Sequence, residues 1–192
     1  MSYGKMLILV IRFAVKKIKT YWMIGLMAFA AGCSNPPDYP VEPVLKLVSL
    51  SRNVIYQNPT GSSPGDSVRV IFEFTDGDGD LGFENYQSES CNLCDTLDCY
   101  EHSTLSLFLF DNRQPGCLIP YNLPYIPPRG SSDAISGTID LVISSICCIK
   151  NSFPCLPYPG QTDTVIYSVQ IRDRAGNRSS RLELPPITII CN

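Results

Sequence analysis

The stretch Val68-Arg-Val-Ile-Phe-Glu-Phe-Thr-Asp-Gly-Asp-Gly-Asp-Leu-Gly82 decides how this chain is read. Its first seven residues alternate: Val68, Val70, Phe72 and Phe74 share one side of an extended backbone, and Arg69, Ile71 and Glu73 share the other. Successive side chains of a strand point to opposite faces, so a period of two predicts a strand with one face on a core. The pattern then stops abruptly. Asp76-Gly-Asp-Gly-Asp80 has nothing apolar to bury and has glycines that let the backbone turn, so the strand ends in a loop bearing three carboxylates.

The same period recurs further along, where Val165, Tyr167, Val169 and Ile171 face away from Ser168, Gln170 and Arg172. Short runs that alternate or are rich in β-branched and aromatic residues occur at 44–50, 67–74, 104–110, 117–126, 134–143, 164–171 and 184–190. From Val44 onward no stretch repeats apolar residues at helical spacing. The expected fold is therefore all-β, and seven antiparallel strands are the complement of an immunoglobulin-like sandwich. The whole chain has 192 residues, 44% of them apolar and 17% charged, which suits one compact domain, here over 44–192.

The aspartate loop has two readings. Calcium takes six to eight oxygen ligands at about 2.3–2.6 Å, and carboxylates at alternate positions between glycines can converge on one ion. An EF-hand loop is disfavoured, because its sixth position is Leu81 instead of Gly and its twelfth is Gln87 instead of Glu. In a seven-stranded sandwich, however, the loops after the second and sixth strands lie at the same end. Asp173 and Asn177 can then join Asp76, Asp78 and Asp80 in a calcium site. The alternative is a solvated Asp-Gly turn, with Asp173 and Asn177 capping a turn of their own. The first strand begins at that same end, so a metal there would be structural or would stiffen the joint with the N-terminal segment.

The N-terminus carries an address. Lys16, Lys17 and Lys19 precede an apolar run from Tyr21 to Ala31, followed by Gly32 and Cys33. That run is about half the length a spanning helix needs, and a helix extended back through residues 6–15 would bury four cationic side chains. The layout is that of an export signal over 1–32. Residues 33–43 follow as a tether, with four prolines among residues 34–43; polyproline extends by about 3.1 Å per residue and would reach roughly 30 Å. Five of the 15 basic residues lie in the first 32 positions with no acid among them, leaving ten basic against 18 acidic residues and a net charge near −8. So acidic a body excludes nucleic acid as a partner and favours cations or basic surfaces.

With its small residues immediately before a cysteine, Ala30-Ala31-Gly32-Cys33 resembles the lipobox of a bacterial prolipoprotein, though Ala30 stands where Leu is usual. The resemblance implies cleavage after Gly32, diacylglycerol on Cys33, and lipid anchorage at the outer membrane, on its periplasmic or surface face. Phe72-Glu-Phe-Thr-Asp-Gly-Asp-Gly-Asp-Leu-Gly82 and Tyr167-Ser-Val-Gln-Ile-Arg-Asp-Arg-Ala-Gly-Asn-Arg-Ser179 resemble the second-strand and sixth-strand signatures of immunoglobulin-like or cadherin-like domains in Bacteroidota-type lipoproteins. This second resemblance implies a surface-exposed, non-catalytic domain.

Eight cysteines remain beyond Cys33: Cys91, Cys94, Cys99, Cys117, Cys147, Cys148, Cys155 and Cys191. An even number in an exported chain favours disulfides, with the pairing left open. The adjacent Cys147 and Cys148 are expected to take different partners, since a bridge between neighbours strains the peptide. The strand order puts Cys91, Cys94 and Cys99 at the aspartate end and the other five away from it. Three and five do not pair wholly within ends, so either the 75–103 connection folds down the side of the sandwich or a strand is misplaced. The competing readings are zinc held by Cys91, Cys94, Cys99 and Cys117 or His102, and a redox dithiol; both lack the usual spacing or context.

His102 is the lone histidine, and no nucleophile elbow, phosphate loop or His-Glu-x-x-His pattern occurs, so no enzyme is expected. Tyr121, Tyr125, Phe153 and Tyr158 sit among prolines and either form an exposed platform for a glycan or protein ligand or pack as lids on the core. The expectation is a non-catalytic, lipid-anchored binding or structural module whose partners are the membrane and another envelope protein or a glycan.

Overall fold

The computed structural model describes residues 38–57, 67–84, 94–95, 104–127, 134–144, 146–150, 153–154 and 158–191, all within the unit Pro37–Asn192. The described residues are all-β, and no helix among them is long and apolar enough to cross a membrane. In chain order the strands are β1 Val44–Leu50, β2 Val54–Tyr56, β3 Val68–Asp76, β4 Leu107–Asp111, β5 Leu118–Tyr121 and β6 Ile135–Ile143. They are followed by β7 Ile149–Lys150, β8 Phe153–Pro154, β9 Gln161–Val165, β10 Tyr167–Ile171, β11 Leu182–Glu183 and β12 Ile187–Cys191.

These pack as a sandwich. One sheet has the order β1-β3-β6, antiparallel throughout. Across the core lies β11-β10-β4-β5, and the ribbon continues as β2-β12-β9, where β2 runs parallel to β12. The alternation in β3 appears as written: Val68, Val70, Phe72 and Phe74 are buried, while Arg69 and Glu73 are exposed. They meet Leu107, Leu109, Val165, Tyr167, Val169 and Ile171 from the other layer in one contiguous core. Burying a side chain such as Phe72 contributes about 1.5–3 kcal/mol.

The strand expected over 164–171 is two pieces. Ile166 leaves the ladder because its N–H donates to Asn112 Oδ1 at 2.8 Å, and the chain steps between sheets there. Likewise the last strand starts at Ile187, not at 184, because Pro185 and Pro186 have no N–H to give a ladder. The run 117–126 is strand only over Leu118–Tyr121 and continues as extended chain. β2, β7, β8 and β11 have no counterpart among the expected strands; two or three residues are too few to show a period.

β4 is buried on both faces. Leu107 and Leu109 join the main core, whereas Phe108 and Phe110 form a second cluster with Leu105 and Leu118. Arginines cover this cluster in part. Arg172 lies over Phe83 and Phe108 at 5.6 and 5.7 Å, and Arg181 lies over Phe110 at 3.7 Å. Cys94 is bonded to Cys117, which immediately precedes β5, at the end of β4 far from Phe83. One of the three cysteines expected at the aspartate end is thus placed at the other end. Cys148 pairs with Cys191, and Cys147 is disulfide-bonded as well, so the two neighbours do not bridge each other.

At this far end Arg113 bonds Asp111 through Nε and Nη2 at 2.9 and 2.6 Å, and its Nη1 reaches Asp163 and the Cys147 carbonyl. The residues expected as a tether are partly domain: Pro43 is buried, and Pro40 accepts a hydrogen bond from Gly77 N–H at 2.8 Å. The chain 38–43 thus folds onto the sandwich instead of extending freely.

Candidate metal centre

Strand β3 ends on Asp76, whose place in the alternation turns its carboxylate inward, fully buried. Beyond it the chain doubles back. Gly79 adopts φ 67°, a left-handed conformation open to glycine and costly for residues with a Cβ, which lets Asp78 and Asp80 face the same point. The Asp80 N–H closes the turn by donating to Asp76 Oδ2 at 3.1 Å. Strand β10 brings the second loop alongside. Leu81 bridges Asp173 as a strand pair, Arg174 N–H donates to the Asp80 carbonyl at 3.2 Å, and Ala175 N–H donates to Asp80 Oδ2 at 2.9 Å.

The result is four carboxylates, Asp76, Asp78, Asp80 and Asp173, each offering an oxygen within 4.8 Å of the others. Asp76 and Asp173 are fully buried. Oδ1 of Asp76, of Asp78 and of Asp80 is buried without a hydrogen-bond partner. Buried acceptors normally find donors, and leaving one orphaned costs about 1–3 kcal/mol. Two like charges about 4 Å apart add roughly 4 kcal/mol of repulsion at a protein's effective dielectric. Burial, and then the neighbouring Asp78, Asp80 and Asp173, push the Asp76 carboxyl up to about 7. Asp80 is raised by burial and by Asp78, and Asp173 by burial and by Asp80.

Arg174 does not neutralise this charge by sitting in it. Its Nη1 bonds the carbonyls of Leu81 and Gly82 at 2.9 and 2.7 Å and that of Ile126 at 3.3 Å, while the guanidinium lies over Tyr125 at 4.9 Å. It clasps three loops around the acidic cluster. Sequence reasoning passed over Arg174, although its place directly after Asp173 in Arg-Asp-Arg was a signal for a cation beside the site.

The donor set fits a hard divalent cation. It is all oxygen and anionic, as calcium prefers, and holds none of the nitrogen or sulfur typical of zinc. Oxygens bound to one calcium at about 2.4 Å stand at most about 4.8 Å apart, and the four carboxylates each offer an oxygen within that limit.

Asn177, the fifth residue expected at the site, is joined to Asp173. Its backbone N–H donates to Asp173 Oδ1 at 2.7 Å and its side-chain amide donates to Asp173 Oδ2 at 2.9 Å. Four residues apart on a turn, it holds the Asp173 carboxylate in place through these two bonds. Of the four rings proposed as a ligand platform, the three that are described do not lie at one end of the domain. Tyr121 is half-buried against the core at the aspartate end, and Tyr125 lies under Arg174. Tyr158 packs against the core at the other end, beyond the length of β9 and β10, with its hydroxyl donating to the Lys150 carbonyl at 3.4 Å. The side chain of Phe153 lies outside the described residues, as do Cys33, Cys91, Cys99, Cys155 and His102. A zinc site using Cys94 and Cys117 is removed by the bond between them. No family model matches this chain, and no curated protein and no solved structure is similar to it.

Proposed function

We propose that this chain is a lipid-anchored envelope protein whose β-sandwich is a calcium-stabilised, non-catalytic structural or binding module. The observation that carries the reading is the set of three buried, partnerless aspartate oxygens facing one point, with Asp173 as a fourth wall. A divalent cation satisfies all of them at once and cancels a repulsion the fold otherwise bears. The anchor rests on Ala30-Ala31-Gly32-Cys33, and the outer membrane, with another envelope protein or a glycan as partner, follows from the lipoprotein resemblance. The non-catalytic reading rests on the sequence, where the clustered carboxylates share one turn instead of flanking a cleft and no nucleophile or phosphate motif occurs.

Native mass spectrometry of the membrane-extracted protein tests both halves. The expected species begins at a diacylated Cys33 and carries one calcium that chelation removes. A species retaining residues 1–32, or one that takes up no calcium, contradicts the corresponding half.

A further inference from the structure

Gly77 lies between Asp76 and Asp78, so it sets how far apart two of the candidate ligands stand. It also carries the N-terminal segment. Its N–H donates to the Pro40 carbonyl at 2.8 Å. A Cβ at this position would lie 2.6 Å from the Pro40 oxygen, and the Tyr39 oxygen is nearer still, so these two carbonyls occupy space that glycine alone leaves open. Residues 38–43 form no strand. Pro40, Glu42 and Pro43 also line a cleft of about 370 Å³ with Arg178, Ser180 and Arg181, and Arg178 directly follows the Asn177 that holds Asp173. Both ligand-bearing loops therefore border the segment.

We infer that cation binding at the four-aspartate centre and docking of residues 38–43 on the sandwich are one coupled equilibrium, with Gly77 as the shared peptide. The inference rests on the metal-centre reading. Carboxylates that repel push Asp76 and Asp78 apart and move Gly77 with them. An ion that draws the carboxylates in holds Gly77 where Tyr39 and Pro40 rest. Linkage makes the effect mutual: whatever undocks the segment weakens the cation by the same factor that the cation strengthens docking, typically five- to 150-fold.

The test uses the full chain in detergent, ¹⁵N relaxation at the amides of Tyr39, Val41 and Glu42, and calcium titration. Calcium is expected to raise their order parameters toward about 0.85, the value of rigid backbone. Gly77→Ala is expected to weaken calcium at least about fivefold and to leave those amides mobile with calcium present. Asp78→Asn keeps Gly77 and is expected to abolish the calcium-induced ordering. Calcium binding to the wild type with no change at Tyr39, Val41 and Glu42 overturns the coupling and leaves the metal centre standing. Failure of calcium to bind overturns the metal centre itself. Should Gly77→Ala not fold, the wild-type comparison decides alone.

Discussion

Asp76 carries two conflicting demands: it ends a strand whose inward positions are apolar, and it is a carboxylate among three others. Without a metal the conflict is relieved by a proton. Its carboxyl is raised to about 7 in the fold, against about 4 unfolded, so the folded state binds the extra proton between those values. The stability this contributes is complete below about pH 4 and is lost as pH rises through about 7. Calcium-free protein should therefore lose on the order of 2–4 kcal/mol between pH 5 and pH 9, measured by urea unfolding. Millimolar calcium should abolish that loss, because cation and proton compete for the same oxygens; a calcium-free curve that rises over this range would contradict the assignment. Asp78→Asn, by removing one repelling charge, should stabilise the calcium-free protein at pH 8 and eliminate its response to calcium, read from melting curves with and without chelator.

Among the elements, the loops around the cluster depend on a clasp and a close approach. Arg174→Ala removes charge-assisted bonds to the Leu81, Gly82 and Ile126 carbonyls and should cost about 1.5–3 kcal/mol by urea midpoint, with Arg174→Lys restoring part. Gly82, at φ 75°, faces the Pro124 carbonyl so closely that Gly82→Ala should cost at least about 1–3 kcal/mol by the same measure. The strands of the core were legible because their alternation is written residue by residue in Val68–Phe74 and Val165–Ile171. The loop was legible as three spaced aspartates with Asp173 opposite. Arg174 was not, because an arginine after an aspartate reads equally well as a solvated pair; its role comes from carbonyls on segments 48 and 92–93 residues away. The interruption at Ile166 was hidden for the same reason, since the Asn112 side chain that causes it lies 54 residues off.

Across the whole molecule the two ends are held by different chemistry. The far end is closed by covalent bonds and by Arg113 between Asp111 and Asp163, and the near end by hydrogen bonds around uncompensated carboxylates. Removing the Cys148–Cys191 bond, which closes a loop of 43 residues, should lower stability by about 4 kcal/mol by chain entropy, measured with Cys148→Ala/Cys191→Ala. This loss should be independent of calcium, since the bond lies a full strand length from the cluster. The near end should respond to calcium and not to reductant. The most direct measurement is calorimetric titration of calcium into chelator-stripped protein at pH 7.5, paired with the melting temperature at about 100-fold excess over the dissociation constant. One site per chain, absent in Asp76→Asn and Asp78→Asn, with a rise of roughly 5–10 °C in the wild type, is the predicted result. No heat of binding and an unchanged melting temperature would contradict it and leave the four aspartates as a turn that carries its charge unaided.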